Sequence, residues 1–420
     1  MVLPIIEEIF ENGFPSWVPQ WVQDPWLLFQ VVAVTGTLYL LKGYCSGIAN
    51  PMDARMNGKV IMITGGTSGI GAAVTRDLAQ RGAQIILLTR LPPSNPFLAD
   101  YIGDLRKQSN NQMIYAEQVD LCSLHSIRQF ATKWIDNVPP RRLDMLILCA
   151  ATLTPPGKKR TQTSEGIEET WMVNYLANFH LLSILSPAIK AQPFDRDVRV
   201  ILPTCSSYIS SPPLSEALDK KKWTPTKAYA RSKLALLVFG QAFQKHLDAY
   251  ERPDKLPMNS RVIFVDPGYT RTLGMRRWLT RGTLWGLVVY LATYILSWFF
   301  LKSPEMGAQS ILYATMDPGL RREAGGKLVK ECRDVDFARI DVKNDEVAKK
   351  LWEHSDSLIE KTEKEQAVLR AREKKQQEIK EKEKKEAEKA EEVEALVNAV
   401  KKGKEAEKKS SKRKGKKASS

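Results

Sequence analysis

From residue 58 to about residue 332 the chain alternates short apolar runs with longer amphipathic stretches, and few folds accept that alternation. The runs are "KVIMIT" (59–64), "AQIILLT" (83–89), "IYAEQVDL" (114–121), "LDMLILCA" (143–150), "RVILPTC" (199–205) and "SRVIFVD" (260–266), with a later one at "GGKLVKEC" (325–332). Most are apolar nearly throughout, the mark of strands buried on both faces, as in a parallel sheet. Helix-length segments separate them, among them 69–81, 123–136, 165–191 and 226–248. Repeated strand–helix units predict an α/β fold with a doubly wound parallel sheet. At 43% hydrophobic residues the chain can fill such a core, and 420 residues leave room for extensions.

Both ends differ from this middle. Residues 26–41, "WLLFQVVAVTGTLYLL", form an uncharged run of sixteen. As a helix it reaches about 24 Å, slightly short of a roughly 30 Å hydrocarbon layer. Trp17 and Trp21 precede it and Trp26 opens it, as in an interfacial aromatic belt. A cleaved signal peptide would start with a basic region, whereas Glu7, Glu8, Glu11 and Asp24 stand here. Lys42, Arg55 and Lys59 follow the run and direct the downstream chain to the cytosol. The expectation is a retained membrane anchor, with a buried N-terminal helix as the alternative.

A second uncharged run, "TLWGLVVYLATYILSWFFL" (283–301), has nineteen residues. It is long enough to span, but a single crossing would put the strands at 260–266 and 325–332 on opposite sides. It is therefore expected to lie in the interface, to dip in and return, or to cap a substrate pocket. Residues 361–420 carry 21 Lys+Arg against 13 Asp+Glu, out of a chain total of +15. Mixed Glu and Lys there predict a solvated helix with i,i+4 pairs, and the final "KKSSKRKGKKASS" is predicted to be disordered. That tail offers contacts to protein or anionic lipid. It lacks the aromatic interleaving or folded basic motif of a nucleic-acid binder. The expected organisation is an N-terminal segment 1–56, a folded domain 57–357 and a charged extension 358–420.

Five scattered cysteines with no C-x-x-C pair argue against a disulfide framework and suit a reducing compartment. His125, His180, His246 and His354 show no metal-ligand spacing, so no metal site is expected.

Chemistry concentrates at the ends of the predicted strands. "TGGTSGIG" (64–71) joins the first strand to the first long helix, where glycines permit a tight turn and close approach to a pyrophosphate. Further on, "AYARSK" (228–233) places Tyr229 and Lys233 four apart, on one helical face. A phenol titrates near pH 10, and a neighbouring ammonium favours its ionised form.

The spacing T-G-x-x-x-G-I-G, with the motifs that follow it in order, resembles the short-chain dehydrogenase/reductase family over about residues 57–357. The resemblance implies a Rossmann-like fold and a dinucleotide held by Thr64, Gly65, Ser68, Gly69, Ile70 and Gly71. It implies adenine contacts from Asp120 and Leu121 at the end of the third strand, and cofactor contacts from Ala150, Pro267, Gly268 and Thr270. Four residues take catalytic roles by the same resemblance. Tyr229 exchanges a proton with the substrate oxygen, and Lys233 lowers the phenol's pKa and holds the nicotinamide ribose. Ser207, closing the fifth strand, orients the carbonyl, and Asn174 organises the proton relay. Arg90 follows the second strand, where no carboxylate is present to bind a ribose 2′-hydroxyl, so NADP(H) is the expected cofactor.

"NYLANFHLL", "GGKLVKECR" and "VAKKLWEHSDSLIE" resemble the retinol-dehydrogenase-like branch of that family. That implies a membrane-bound, cytosol-facing oxidoreductase interconverting carbonyl and alcohol on a lipophilic retinoid-, sterol- or fatty-acyl-like substrate. The endoplasmic reticulum and the lipid droplet, a monolayer, are the expected surfaces. Cys149-Ala150-Ala151 stands where relatives carry N-A-G; the missing Asn normally ties strands together, and Ala151 adds a methyl beside the cofactor. The alternative reading is a non-catalytic cofactor-binding scaffold that recruits partners at a membrane through its charged tail.

Overall fold

Eight strands form one sheet in the computed structural model, which describes residues 24–215, 222–321 and 323–416. In chain order they are β1 (Val60–Thr64), β2 (Gln84–Thr89), β3 (Ile114–Gln118), β4 (Met145–Leu148), β5 (Val198–Pro203), β6 (Ser260–Asp266), β7 (Lys327–Lys330) and β8 (Arg333–Val335). Their order is β3-β2-β1-β4-β5-β6-β7-β8. β1 to β7 run parallel, and β8 turns back on β7. Every residue of β1, β4 and β5 is buried, as their unbroken apolarity predicts. Strand order reverses between β1 and β4, and in such sheets ligands bind at that switch point, beyond the carboxyl ends of the strands.

The helices are α1 (Pro25–Ser46), α2 (Gly69–Gln80), α3 (Pro96–Ser109), α4 (Leu124–Ile135), α5 (Glu169–Lys190, with a π-helical stretch at Met172–Leu176), α6 (Pro225–Asp248), α7 (Leu273–Leu279), α8 (Leu284–Ala292), α9 (Tyr294–Phe300), α10 (Pro304–Met316) and α11 (Asp345–Lys416). Val74 and Leu78 of α2, Ile102 of α3 and Ile311 of α10 join Ile263 and Val265 of β6 in one apolar cluster. Phe264, between those two, points to the other face, since side chains alternate across a strand. There it meets α6 at Gly240, where an added Cβ would sit 2.4 Å from the Phe264 ring. Trp352 of α11 completes that second layer, its ring 5.2 Å from Phe179 of α5 and 5.6 Å from Phe239 of α6. The Tyr175 hydroxyl meets Ser355 Oγ at 2.7 Å in the same place.

Several expectations are corrected. β3 stops at Gln118, so Asp120 and Leu121 lie in the following turn. The Asp120 carboxylate accepts from Cys122 N at 2.9 Å, an Asx turn that ends the ladder. Ser206 and Ser207 belong to a 3₁₀ turn, Ser206–Ser210, not to the fifth strand. The "KKSSKRKGKKASS" segment is helical as far as Lys416, because elongation costs little and Lys and Arg are good helix formers. Apart from these corrections, the 283–301 run forms two short helices, broken where Thr293 leaves helical geometry (φ −102°, ψ 19°). Trp17, Trp21 and the acidic residues before them lie outside the described residues, as do 216–221 and 417–420.

One described helix has the length and hydropathy of a membrane span, Glu169–Lys190, but its apolar window is 72% buried as core. In α1, by contrast, apolar side chains are exposed all round, with Val32 at 65%, Tyr39 at 80% and Leu40 at 72%. Met1–Ser357 forms one compact unit and Leu358–Ser420 a second, the latter helical to Lys416.

Gly240→Val should overpack the α6–sheet contact at a cost of about 1–3 kcal/mol. Thermal unfolding of the detergent-solubilised protein should show a lowered Tm, and an unchanged Tm would refute this packing.

Candidate active site

The first strand delivers the glycine-rich turn. Gly65 and Gly69 have positive φ (68° and 57°), which side chains other than glycine rarely adopt. A Cβ on Gly65 would lie 2.9 Å from the Ala150 backbone, and one on Gly71 would lie 2.2 Å from the Gly65 carbonyl. Ser68, the N-cap residue of α2, makes no side-chain capping bond, so the first amides of the helix remain for a ligand. A turn this close to backbone, opening a twelve-residue helix with free donors, fits the diphosphate of a dinucleotide. Ile70 lies in the first turn of that helix. Thr64, wholly buried, accepts from Ala150 N at 3.1 Å and joins the ends of β1 and β4.

The departure at 149–151 is absorbed without disturbing this turn. Cys149 takes the place of the expected Asn, and burial pushes its thiol up to about 12, so it stays neutral. Thr64 supplies a tie between β1 and β4. Ala151 is exposed and Ala150 half-buried.

The four residues expected to be catalytic lie together beyond β5. The Lys233 ammonium, 4% exposed, donates to the Pro203 carbonyl at 3.0 Å and lies 5.7 Å from the Tyr229 ring centroid. Cys205 Sγ is 2.8 Å from Ser207 Oγ. Asn174, wholly buried in the π-helical stretch, accepts from Thr152 N at 2.7 Å. Its Nδ2 donates to Thr152 O at 3.0 Å and to Ser232 Oγ at 3.1 Å. Ser232 in turn donates to the Tyr229 carbonyl at 2.8 Å.

Electrostatics here run against the sequence expectation. Burial first, then Cys205 and Asp266, hold the Tyr229 phenol well above its ordinary pKa. Burial lowers that of Lys233. The physical reason is enclosure: desolvation penalises both ions, and the Asp266 carboxylate adds a negative charge beside the phenol.

Two groups join the site without having been read from the sequence. Asp266, 3% exposed, accepts from Ser206 Oγ at 2.6 Å and from Gly268 N at 2.9 Å, with Lys330 Nζ at 3.6 Å. Its signal was a lone carboxylate closing an apolar strand before Pro267-Gly268. Cys205 carried no signal beyond adjoining Ser206. Gly268 (φ 75°) and the buried Thr270 continue from β6, and Thr270 pairs with Lys302 in a parallel bridge. Arg90 is exposed after β2, and Asp120 and Leu121 follow β3. These three stand apart from the four expected catalytic residues, across the two strands beyond β1. Outside the turn, a cavity of about 570 Å³ lies between Ser68, Gly69 and Arg76 on one side and Thr272, Tyr290 and Leu291 on the other.

Asp266→Asn should lower the Tyr229 pKa, since it removes a charge that raises it. An ultraviolet titration of phenolate, read as the difference from Tyr229→Phe, should show a midpoint shifted to lower pH. An unmoved midpoint would mean that Asp266 is not felt at the phenol.

Comparison with known proteins places this geometry. Residues 59–281 match the short chain dehydrogenase family model. An uncharacterized oxidoreductase of Schizosaccharomyces pombe is 40% identical over 87% of this chain and 97% of its own. Mouse retinol dehydrogenase 13 is 30% identical over 78% of this chain and 92% of its own. Mouse polyprenol dehydrogenase is 29% identical over 70% and 82% respectively. The chain therefore belongs to the short chain dehydrogenase family, as an oxidoreductase of CH–OH groups that uses a nicotinamide dinucleotide, and it resembles the retinol-dehydrogenase-like branch.

Proposed function

We propose that the protein is a membrane-associated, NADP(H)-dependent oxidoreductase that interconverts a carbonyl and an alcohol on a retinoid-, sterol- or fatty-acyl-like substrate. The observation that carries the reading is the meeting of Lys233 with the Tyr229 ring and with the last carbonyl of β5, beside the turn that carries Ser207, with Asn174 tied to the same helix through Ser232.

The nicotinamide, when bound, supplies a hydride to the carbonyl carbon or accepts one from the alcohol. Tyr229 gives its phenolic proton to the carbonyl oxygen, its O–H bond breaking as that of the alcohol forms, and takes a proton back in oxidation. A raised pKa keeps the phenol protonated at neutral pH, which suits it to donate. Ser207 orients the same oxygen by hydrogen bonding. Lys233, fixed on Pro203, steadies the negative charge on Tyr229 and holds the ribose, and Asn174 supports proton delivery to Lys233.

Arg90, with no carboxylate beside it at the end of β2, supports a 2′-phosphate and hence NADP(H). Asp120, Leu121, Ala150 and residues 267–270 complete the cofactor cleft. Retinol and polyprenol, the alcohols in the relatives' names, are both long and apolar. The exposed apolar helices α1, α8 and α9 support a membrane location. Residues 1–56 act as the anchoring segment, 57–357 as the catalytic domain and 358–420 as a charged extension. The catalytic domain faces the cytosol, at the endoplasmic reticulum or lipid droplet surface.

With retinal, long-chain aldehydes and sterol ketones as substrates, Tyr229→Phe should reduce turnover by at least about 100-fold while NADPH binding persists. Arg90→Asp should weaken NADPH binding and leave NADH binding nearly unchanged. Equal, negligible turnover in wild type and Tyr229→Phe, with NADPH bound by both, would favour the scaffold reading.

A further inference from the structure

Two apolar segments far apart in sequence meet at one place. Lys42, near the end of α1, donates to the Trp298 carbonyl at 2.8 Å and to the Phe299 carbonyl at 3.3 Å. Those carbonyls belong to the last turn of α9, where no helical partner is available. The same ammonium lies 4.8 Å from the centroid of the Trp298 ring.

A second tie lies below the first. Buried Lys302 ion-pairs with Glu331, whose other carboxylate oxygen accepts from Ile48 N at 3.0 Å, just past the end of α1. The 271–301 excursion closes on the same residue, with Arg271 N donating to Lys302 O at 2.8 Å and Lys302 N to Tyr269 O at 3.0 Å. The end of α1, the base of the excursion and the loop after β6 are thus held as one assembly.

Away from these ties the assembly presents apolar side chains. Leu284, Trp285 and Ile295 are 83%, 81% and 69% exposed, and α1 adds Tyr39 and Leu40. α8 and α9, of nine and seven residues, reach about 14 and 10 Å, within one leaflet of a roughly 30 Å layer. Between Asp266 and Glu305 the chain has five basic residues and no acidic one. Three of them, Arg276, Arg277 and Arg281, stand exposed just before α8. Apolar helices edged by cations match an anionic lipid surface, where basic residues meet headgroups and apolar ones meet acyl chains.

Resting on the membrane association proposed above, we infer that α1 and the α8–α9 pair form one composite surface embedded in membrane rich in anionic phospholipid, with α8 and α9 confined to the leaflet that faces the folded domain. Arg276 and Arg277 of α7 and Arg281 just beyond it contact its headgroups.

The test uses full-length protein in vesicles of brominated phosphatidylcholine, with and without phosphatidylserine. A fluorescent amino acid replaces Leu40, Val289, Ile295 or, as control, Ile340, which is 92% exposed. Retained dinucleotide binding checks that each variant folds. Positions 40, 289 and 295 should lose most of their fluorescence and position 340 should not. Phosphatidylserine should deepen quenching at 289 and 295, and the combined Arg276→Glu, Arg277→Glu and Arg281→Glu variant should lose that gain. Quenching at 40 without quenching at 289 and 295 would overturn the composite surface and leave membrane association standing. If photocrosslinks between copies then form at 289, the face is a self-association surface. Indifference to phosphatidylserine would overturn the anionic preference. Absence of quenching at 40 as well would overturn the membrane reading itself.

Discussion

A buried ammonium must find acceptors, and the position of Lys233 organises the catalytic end of the fold. Its bond to the last carbonyl of β5 fixes α6 against the sheet at the point where the chain leaves the strand. Tyr229, one turn earlier on α6, is thereby set opposite the 3₁₀ turn that carries Ser207. The close approach of α6 at Gly240 is the distal half of the same constraint, because a bulkier residue there would tilt the helix that bears both groups. Behind it, Trp352 wedges between α5 and α6 and shields the Asn174 helix from water.

Asn174 and Asp266, the most enclosed polar groups here, are fully partnered and keep the geometry rigid, whereas the buried Thr204 hydroxyl has no partner among the described residues. Asn174 spends both ends of its amide on Thr152 and Ser232, while Asp266 collects a hydroxyl, a backbone amide and a nearby lysine. Low dielectric strengthens such bonds and makes an unpartnered group expensive. The cysteines at 149 and 205 fit the same logic: small, weakly polar groups fill positions where a charged residue would need further partners.

The sheet was legible because its signal is redundant. Apolar runs, intervening helices and the glycine turn each report the same α/β order, and β6 falls at the residues read for it. Boundaries were less legible where side chains compete with the ladder. Asp120 turns the chain two residues beyond β3 through its own carboxylate, which hydropathy does not see. Spacing paired Tyr229 with Lys233, and the family resemblance joined Ser207 and Asn174 to them. Neither could supply the pKa direction, which depends on enclosure and on Asp266, a residue brought in by β6. The break at Thr293 was hidden for a related reason: nothing in a uniformly apolar run marks one threonine as the bend.

The cavity beside the glycine turn has one wall from α2, the helix that the turn opens, and one from α8. A ligand that fills it touches both. Under the proposed lipid contact of α8 reciprocity would apply: whatever factor that contact imposes on dinucleotide affinity, the dinucleotide would impose on lipid affinity. Cofactor supply and surface residence would then be two readings of one coupling free energy, measurable from either side.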